Sequence, residues 1–396
     1  MDLHCIRCGT PTTLWHCPKH GPEVRVDVVW KPSAISALKA ALPTRTDRGC
    51  WRYRELLPVE LPQALRLPET PLVQAPRLAG WLGVDSVVLK DDGLLPSGST
   101  KDRASVVGVA MALAEGAERI VCASTGNAAA STACQAARVG LPATIFVPKR
   151  APMGKVAQLQ LYGAQVLRID ADYDTTWALC NAIAGQKPTW YNRNCAQNPW
   201  LVEGKKTAGL EFADQLGADV PDWLAISVGD GCSVAGFCKG LLQAHAAGLI
   251  PRVPRVLAVQ AAGAAPLVAA ATTGADPVMT GADTVADSLC VGHPRNPDKA
   301  LHYVAAVNGR WIAVSDEAIV DALVEVPKRS GVFGEPAAAT TFAGVREAAR
   351  QGWLTGSVGV LVTGNGLKDP APALERAGQP LDLPADVEAV LRALER

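Results

Sequence analysis

The sequence has no excess of charge of either sign. Lys+Arg and Asp+Glu both number 38 in 396 residues, so the formal net charge is zero. No global field would draw such a protein to nucleic acid or anionic lipid. No uncharged apolar run reaches the roughly 18 residues of a membrane-spanning helix. The start, Met1-Asp2-Leu3-His4-Cys5, has neither a basic stretch nor an apolar one, so no secretory signal is visible. No repeat of solenoid length is present. The eleven cysteines are scattered and do not read as a disulfide framework. These absences predict a reduced, cytoplasmic protein with neither a nucleic-acid nor a membrane partner. What is present is a hydrophobic fraction of 48%, enough to fill the core of a large two-lobed enzyme.

From Lys90 onward, short apolar runs alternate with helical stretches. Arg119–Ala123, Ala143–Val147 and Gln165–Ile169 read as strands, with helices over Asn127–Val139 and Pro152–Leu161. A second series has strands at Trp223–Ser227, Arg255–Gln260 and Val358–Val362 and a helix over Ser233–Ala247, and Ser86–Lys90 suits a short strand before both. This alternation predicts parallel βαβ units in two α/β lobes, with a cleft between them where cofactors sit. A helix over Pro384–Arg396 is expected to pack as a C-terminal cap.

Within this frame, Pro96-Ser97-Gly98-Ser99-Thr100-Lys101-Asp102-Arg103 is a turn of small residues that delivers a lysine to a helix start. Backbone N–H groups and the helix dipole there disfavour the ammonium and bring the neutral, nucleophilic amine within reach. Alone, Lys101 reads equally as an exposed loop lysine. Gly229-Asp230-Gly231-Cys232-Ser233 joins a strand to a helix, as a phosphate cradle or as a tight turn. Ser124-Thr125-Gly126-Asn127 also opens a helix and suits either a carboxylate or an N-cap. Thr363-Gly364-Asn365-Gly366 ends the last strand.

Taken together and in this order, these four stretches resemble the threonine synthase branch of the pyridoxal-phosphate (PLP) enzymes, from about Trp51 to Pro370. Asn198-Pro199, Glu203-Gly204-Lys205-Lys206-Thr207, Ala286-Asp287-Ser288 and Gly334-Glu335-Pro336-Ala337 extend the resemblance. It implies fold type II: a large lobe from residues 23–93 and 205–396, and a small lobe, 94–204, carrying the Schiff-base lysine. It implies that Lys101 binds the cofactor aldehyde and moves the substrate protons. Gly229, Asp230, Gly231, Cys232 and Ser233 would hold the cofactor phosphate, with the Asp230 side chain turned away. Asn127 would face the phenolic oxygen and Thr363 the ring nitrogen. Ser124, Thr125, Gly126 and Asn127 would grip the substrate carboxylate. Asp102 and Arg103 are expected to be structural, as helix-start charges and an intra-loop ion pair.

The expected reaction is that of threonine synthase, O-phosphohomoserine plus water to threonine plus phosphate, in a homodimer. The alternatives are a serine/threonine dehydratase or a β-replacement on a serine or phosphoserine, and, from another class, a regulatory protein without catalysis. Two departures stand out. Thr100 replaces an aromatic beside the lysine, and the segment Tyr191–Gln197 is longer than the family pattern, in a place where it would affect grip on a distal phosphate.

The first residues hold Cys5-Ile6-Arg7-Cys8 and Cys17-Pro18-Lys19-His20. Two close pairs suit a tetrahedral zinc site in a ribbon-like segment, 1–22, although His20 stands where ribbons usually have cysteine. A metal-free segment with reduced thiols is the equal alternative. Far in sequence from every cofactor motif, this segment is expected to leave activity untouched.

Overall fold

A computed structural model describes residues 1–396 except Thr125, Arg150, Pro152 and Arg396; Pro22, Glu23, Met153, Gly154 and Lys155 are described by backbone alone. Two mainly parallel sheets form the body. In the larger, the order is Arg310–Val314, Arg255–Ala261, Trp223–Ser227, Ser357–Val362, Ser86–Asp91, Leu72–Gln74, with only the last strand antiparallel. The smaller sheet is parallel throughout, ordered Trp190–Asn192, Arg119–Ala123, Ala143–Pro148, Gln165–Ile169.

The central strands are apolar along most of their length because both faces are covered. Leu224, Ile226, Val256 and Ala258 pack into one core, while their neighbours Ala225, Leu257 and Val259 pack into another on the opposite face. Side chains alternate along a strand, so a continuous apolar run supplies two cores at once. The sequence alternation therefore gives the α/β architecture it predicts.

Three helices carry the site. Lys101–Ala114 follows the small-residue turn, Trp200–Leu216 crosses it, and Cys232–Ala246 follows the glycine loop. The first two approach closely at Gly204, where an added Cβ would stand 2.0 Å from the Arg103 carbonyl oxygen. A larger residue there would push the lysine helix away from its neighbour.

The N-terminus builds more than a short segment. Pro11–Thr12, Asp2–Cys5, Gly21–Val29 and His16–Cys17 form an antiparallel four-stranded sheet, whose long strand runs on past residue 22. At the other end, the helix is Val387–Leu394 and does not cap the fold: Val387, Leu391 and Leu394 are 76%, 53% and 77% exposed. Its apolar stripe has helical period, but the stripe faces away from the core instead of into it. The expected helix over Pro152–Leu161 begins at Met153, and Pro152 itself lies outside the described residues.

Candidate active site

Lys101 is the first residue of its helix. Its turn is fastened to the end of the last large-sheet strand: Thr100 N–H donates to the Thr363 carbonyl at 2.8 Å, and Asn365 N–H to the Gly98 carbonyl at 2.9 Å. Thus the lysine and Thr363, far apart in sequence, are fixed to one another by backbone.

Asp102 and Arg103 are structural, but not as a pair. Asp102 accepts from Ser97 N–H and from the Gln135 amide, each at 2.7 Å. Arg103 is buried and forks onto Asp92 at 2.7 Å through both contacts, reaching Glu211 at 2.9 Å. Lys90 joins the same Glu211 at 2.6 Å. The intra-loop ion pair expected from sequence is absent: Asp102 is engaged by Ser97 and Gln135, and Arg103 by Asp92 and Glu211.

Two cavities meet at Lys101. The wider one, about 540 Å3, is also lined by Ser124, Gly126, Asn127, Arg193 and Ser288. The narrower, about 80 Å3, is lined by Lys101 with Gly229, Asp230, Gly231, Cys232 and Ser233, and with Thr363. The structure thus brings together every expected cofactor and substrate residue except Thr125, which lies outside the described residues. Ser124 does not cap the Asn127–Ala137 helix; its hydroxyl accepts from Gly126 N–H at 3.2 Å.

The lysine is tuned by its surroundings. Burial first, and then the ammonium of Lys205, bring the Lys101 amine down to about 8, opposed by the carboxylate of Glu335. The sequence pointed to the helix start; burial and a second lysine are what the tertiary structure adds. Rival lysines are engaged elsewhere: Lys90 on Glu211, and Lys206 on Glu203 at 2.5 Å.

The glycine loop fits a phosphate. Gly231, at φ +87°, has backbone that side-chain-bearing residues rarely adopt, and a Cβ there would stand 2.8 Å from the Asn296 carbonyl oxygen. The helix Cys232–Ala246 has no side-chain cap, leaving its first-turn N–H groups directed at the narrow cavity. Asp230 turns its carboxylate onto Arg295 N–H at 3.1 Å, so the loop's one acid is occupied.

Several residues at the site stand in stretches the sequence singled out but had no individual role there. Glu335 holds the Asn127 amide and is buried, with its carboxyl pushed up by that burial; the Gly-Glu-Pro-Ala stretch was its only signal. Lys205 Nζ lies 3.1 Å from Cys195 Sγ. The Cys195 thiol is held well below its usual range, first by a hydrogen bond from Cys232 and then by the charges of Lys205 and Arg193. Arg193 is 1% exposed, donates to Ser105 at 3.1 Å, and keeps its Nε without a partner. Among the described residues no carboxylate pairs with it. Both come from the long Tyr191–Gln197 segment.

At the N-terminus, Cys5, Cys8, Cys17 and His20 have ligand atoms within 4.8 Å of one another. Cys8 and Cys17 sulfurs are 3.9 Å apart, and His20 Nδ1 is 3.5 Å from Cys5 and 3.3 Å from Cys17. A tetrahedron with zinc–sulfur bonds of about 2.3 Å has edges of about 3.8 Å, so four donors stand at the spacing of one metal ion.

Comparison with known proteins agrees with this geometry. The solved structures of maize serine racemase (TM-score 0.67, 19% identity, 93% of this chain and 98% of that one) and of the processed form of threonine deaminase isoform 2 from Solanum lycopersicum (0.67, 19%, 89% and 90%) share the fold. The threonine synthase of Mycobacterium leprae is 39% identical over 86% of this chain and 94% of its own. That of Methanocaldococcus jannaschii is 34% identical over 100% of both chains, so the match takes in the N-terminal cysteines. Residues 65–364 match the family described as pyridoxal-phosphate dependent enzyme. The chain belongs to the pyridoxal-phosphate dependent enzymes and, within them, to the threonine synthase family.

Proposed function

We propose that this protein is a threonine synthase, converting O-phosphohomoserine and water to threonine and phosphate. The observation that carries the choice of a phosphorylated substrate is Arg193: a buried guanidinium at the wall of the wide cavity, with a free Nε and no carboxylate partner among the described residues. A buried cation without a carboxylate partner is costly, and an anionic substrate group offsets that cost. A dehydratase acting on serine has no second anion to place there.

The residues fit PLP. Gly229–Ser233 would receive its phosphate, Lys101 its aldehyde, Asn127 its phenolic oxygen and Thr363 its ring nitrogen. When bound, PLP supplies an electron sink for charge developing at the substrate Cα. Thr363 offers a hydroxyl rather than a carboxylate, which suits elimination and replacement over transamination. Lys101, with an amine near neutrality, removes the proton at Cα and then one at Cβ. Arg193 holds the phosphate that departs from Cγ, and water adds at Cβ. Ser124 and Gly126 face the substrate carboxylate. Glu335 keeps the Asn127 amide aimed into the cavity.

The lobe division at 94–204 is supported by the separate small sheet within those residues. We further propose one structural zinc on Cys5, Cys8, Cys17 and His20, and a homodimer in the cytoplasm. The free state of all the cysteines supports a reducing compartment, and no helix among the described residues is long and apolar enough to cross a membrane.

Supplying O-phosphohomoserine should release phosphate and yield threonine in equal amounts. Arg193→Gln should raise KM for this substrate about tenfold or more, as loss of a charged hydrogen bond does. Only ammonia and a keto acid, formed from serine or threonine, would overturn the assignment.

A further inference from the structure

The N-terminal sheet lies far in sequence from the cofactor motifs, yet it touches the segment that holds the phosphate loop. Two adjacent amides fix that loop from outside: Arg295 N–H donates to the Asp230 carboxylate at 3.1 Å, and Asn296 N–H to the Asp230 carbonyl at 2.9 Å. The Asn296 carbonyl sits against Gly231, where no Cβ would fit. The position of residues 295–298 therefore decides where the loop stands.

The same segment is held from its other side by the cysteine-bearing sheet. Arg25 is buried and its Nε donates to the Arg295 carbonyl at 2.9 Å. Arg7, between Cys5 and Cys8, places its Nε 2.6 Å from Asp298 and a second nitrogen 2.8 Å from Asp276. Ile6 N–H donates to the Arg25 carbonyl at 3.2 Å, tying the two arginines' backbones together. A third contact runs beneath: Asp27 accepts from Lys239 of the helix that follows the loop, at 3.1 Å, and from Tyr303. The turn between Cys5 and Cys8 has only a small apolar cluster, Ile6 against Cys5, Cys17 and Val24, so joining the four ligand side chains would fix the turn that carries Arg7.

We infer that the N-terminal sheet, closed by one metal ion on Cys5, Cys8, Cys17 and His20, is a clamp on the cofactor-phosphate loop, with Arg7 and Arg25 as positioning residues acting through Arg295–Asp298. The inference rests on the metal and cofactor readings above and adds a coupling between them. Metal on these four ligands tightens PLP. By linkage, PLP must tighten the metal by the same factor. Such couplings change an affinity about 5- to 150-fold, and the partial exposure of Arg7 places its own share at the low end.

The test uses the full-length protein expressed with zinc in the medium and without a histidine tag. PLP is removed, and its equilibrium Kd is measured by tryptophan quenching for the wild type, for Arg7→Ala and for Arg7→Lys. The surface variant Arg350→Ala serves as control. Metal affinity is measured by competition with a chelator, with and without PLP. The expected result is about one zinc per chain in every variant, by the four-ligand rule. Arg7→Ala should then bind PLP about fivefold more weakly, with partial recovery in Arg7→Lys and no change in Arg350→Ala. PLP should raise the metal affinity of the wild type. A chain without zinc would overturn the metal reading, and the clamp with it. A zinc-loaded protein whose Kd for PLP is the same with and without Arg7, and whose metal affinity ignores PLP, would overturn the clamp alone.

Discussion

The side-chain amide of Asn127 sits astride the carboxylate of Glu335, 2.8 Å from each oxygen. The pair links the two sheets: Asn127 opens a helix beside the small sheet, and Glu335 precedes the helix Pro336–Arg350 against the large one. Both are buried, so the orientation of Asn127 depends chiefly on this partner. Glu335→Ala should lower kcat/KM about tenfold to a hundredfold, the worth of one hydrogen bond to a charged group. Steady-state kinetics, with circular dichroism to verify the fold, checks this; unchanged kinetics would mean Asn127 is held otherwise.

Lys101→Ala should reduce turnover at least about a thousandfold, since proton transfer by a positioned group accounts for about 10²–10⁴. The fold should survive, because the side chain lines cavities rather than filling core. Borohydride reduction of the PLP-loaded protein and peptide mapping should label Lys101. Label on Lys205, the nearest rival, would reassign the site.

The pH dependence follows from the lowered lysine. Only the neutral amine attacks an aldehyde, so capture of PLP by cofactor-free protein should speed up with rising pH and level off above about 8. Lys205→Gln removes a like charge that favours the neutral form of Lys101. Its midpoint should therefore move to higher pH, toward the ordinary lysine value of about 10.4. Stopped-flow rates across pH 6.5–10 (a range of about 4 units around the lysine values) measure both. A midpoint that does not move in the variant would remove Lys205 from this role.

Arg103→Met should destabilise the fold by about 3–5 kcal/mol, the cost of stranding buried charges. It would leave Asp92 and Glu211 facing one another with Lys90 as their main compensation. Urea unfolding gives the number directly. A loss below about 1 kcal/mol would place the network among surface-like ion pairs.

Much of this was legible in the chain itself. The strands Arg119–Ala123 and Trp223–Ser227 stand where apolar runs placed them, because a strand covered on both faces is mostly apolar; the edge strand Gln165–Ile169 also stands where expected, with Gln165 and Arg168 exposed. Lys101, Asn127, the glycine loop and Thr363 were each marked by local chemistry: a turn of small residues, a helix start, a positive φ, a strand end. Such features depend on neighbours in sequence and can be read there.

What only the tertiary structure decided are relations between distant residues. No periodicity sets Glu335 beside Asn127, Lys205 beside Cys195, or Arg193 at a cavity wall with no carboxylate partner among the described residues. The expected Asp102–Arg103 pair yielded to Asp92 and Glu211, because a buried guanidinium takes the carboxylates that surround it rather than the one next to it in the chain. The C-terminal helix has an apolar stripe that sequence would bury and the fold leaves exposed. The cysteine segment, remote from every cofactor motif, lies against Arg295–Asp298. Sequence carries local conformation and burial, whereas contact across the fold follows from how sheets and helices pack, and that packing set the partners of every buried charge at this site.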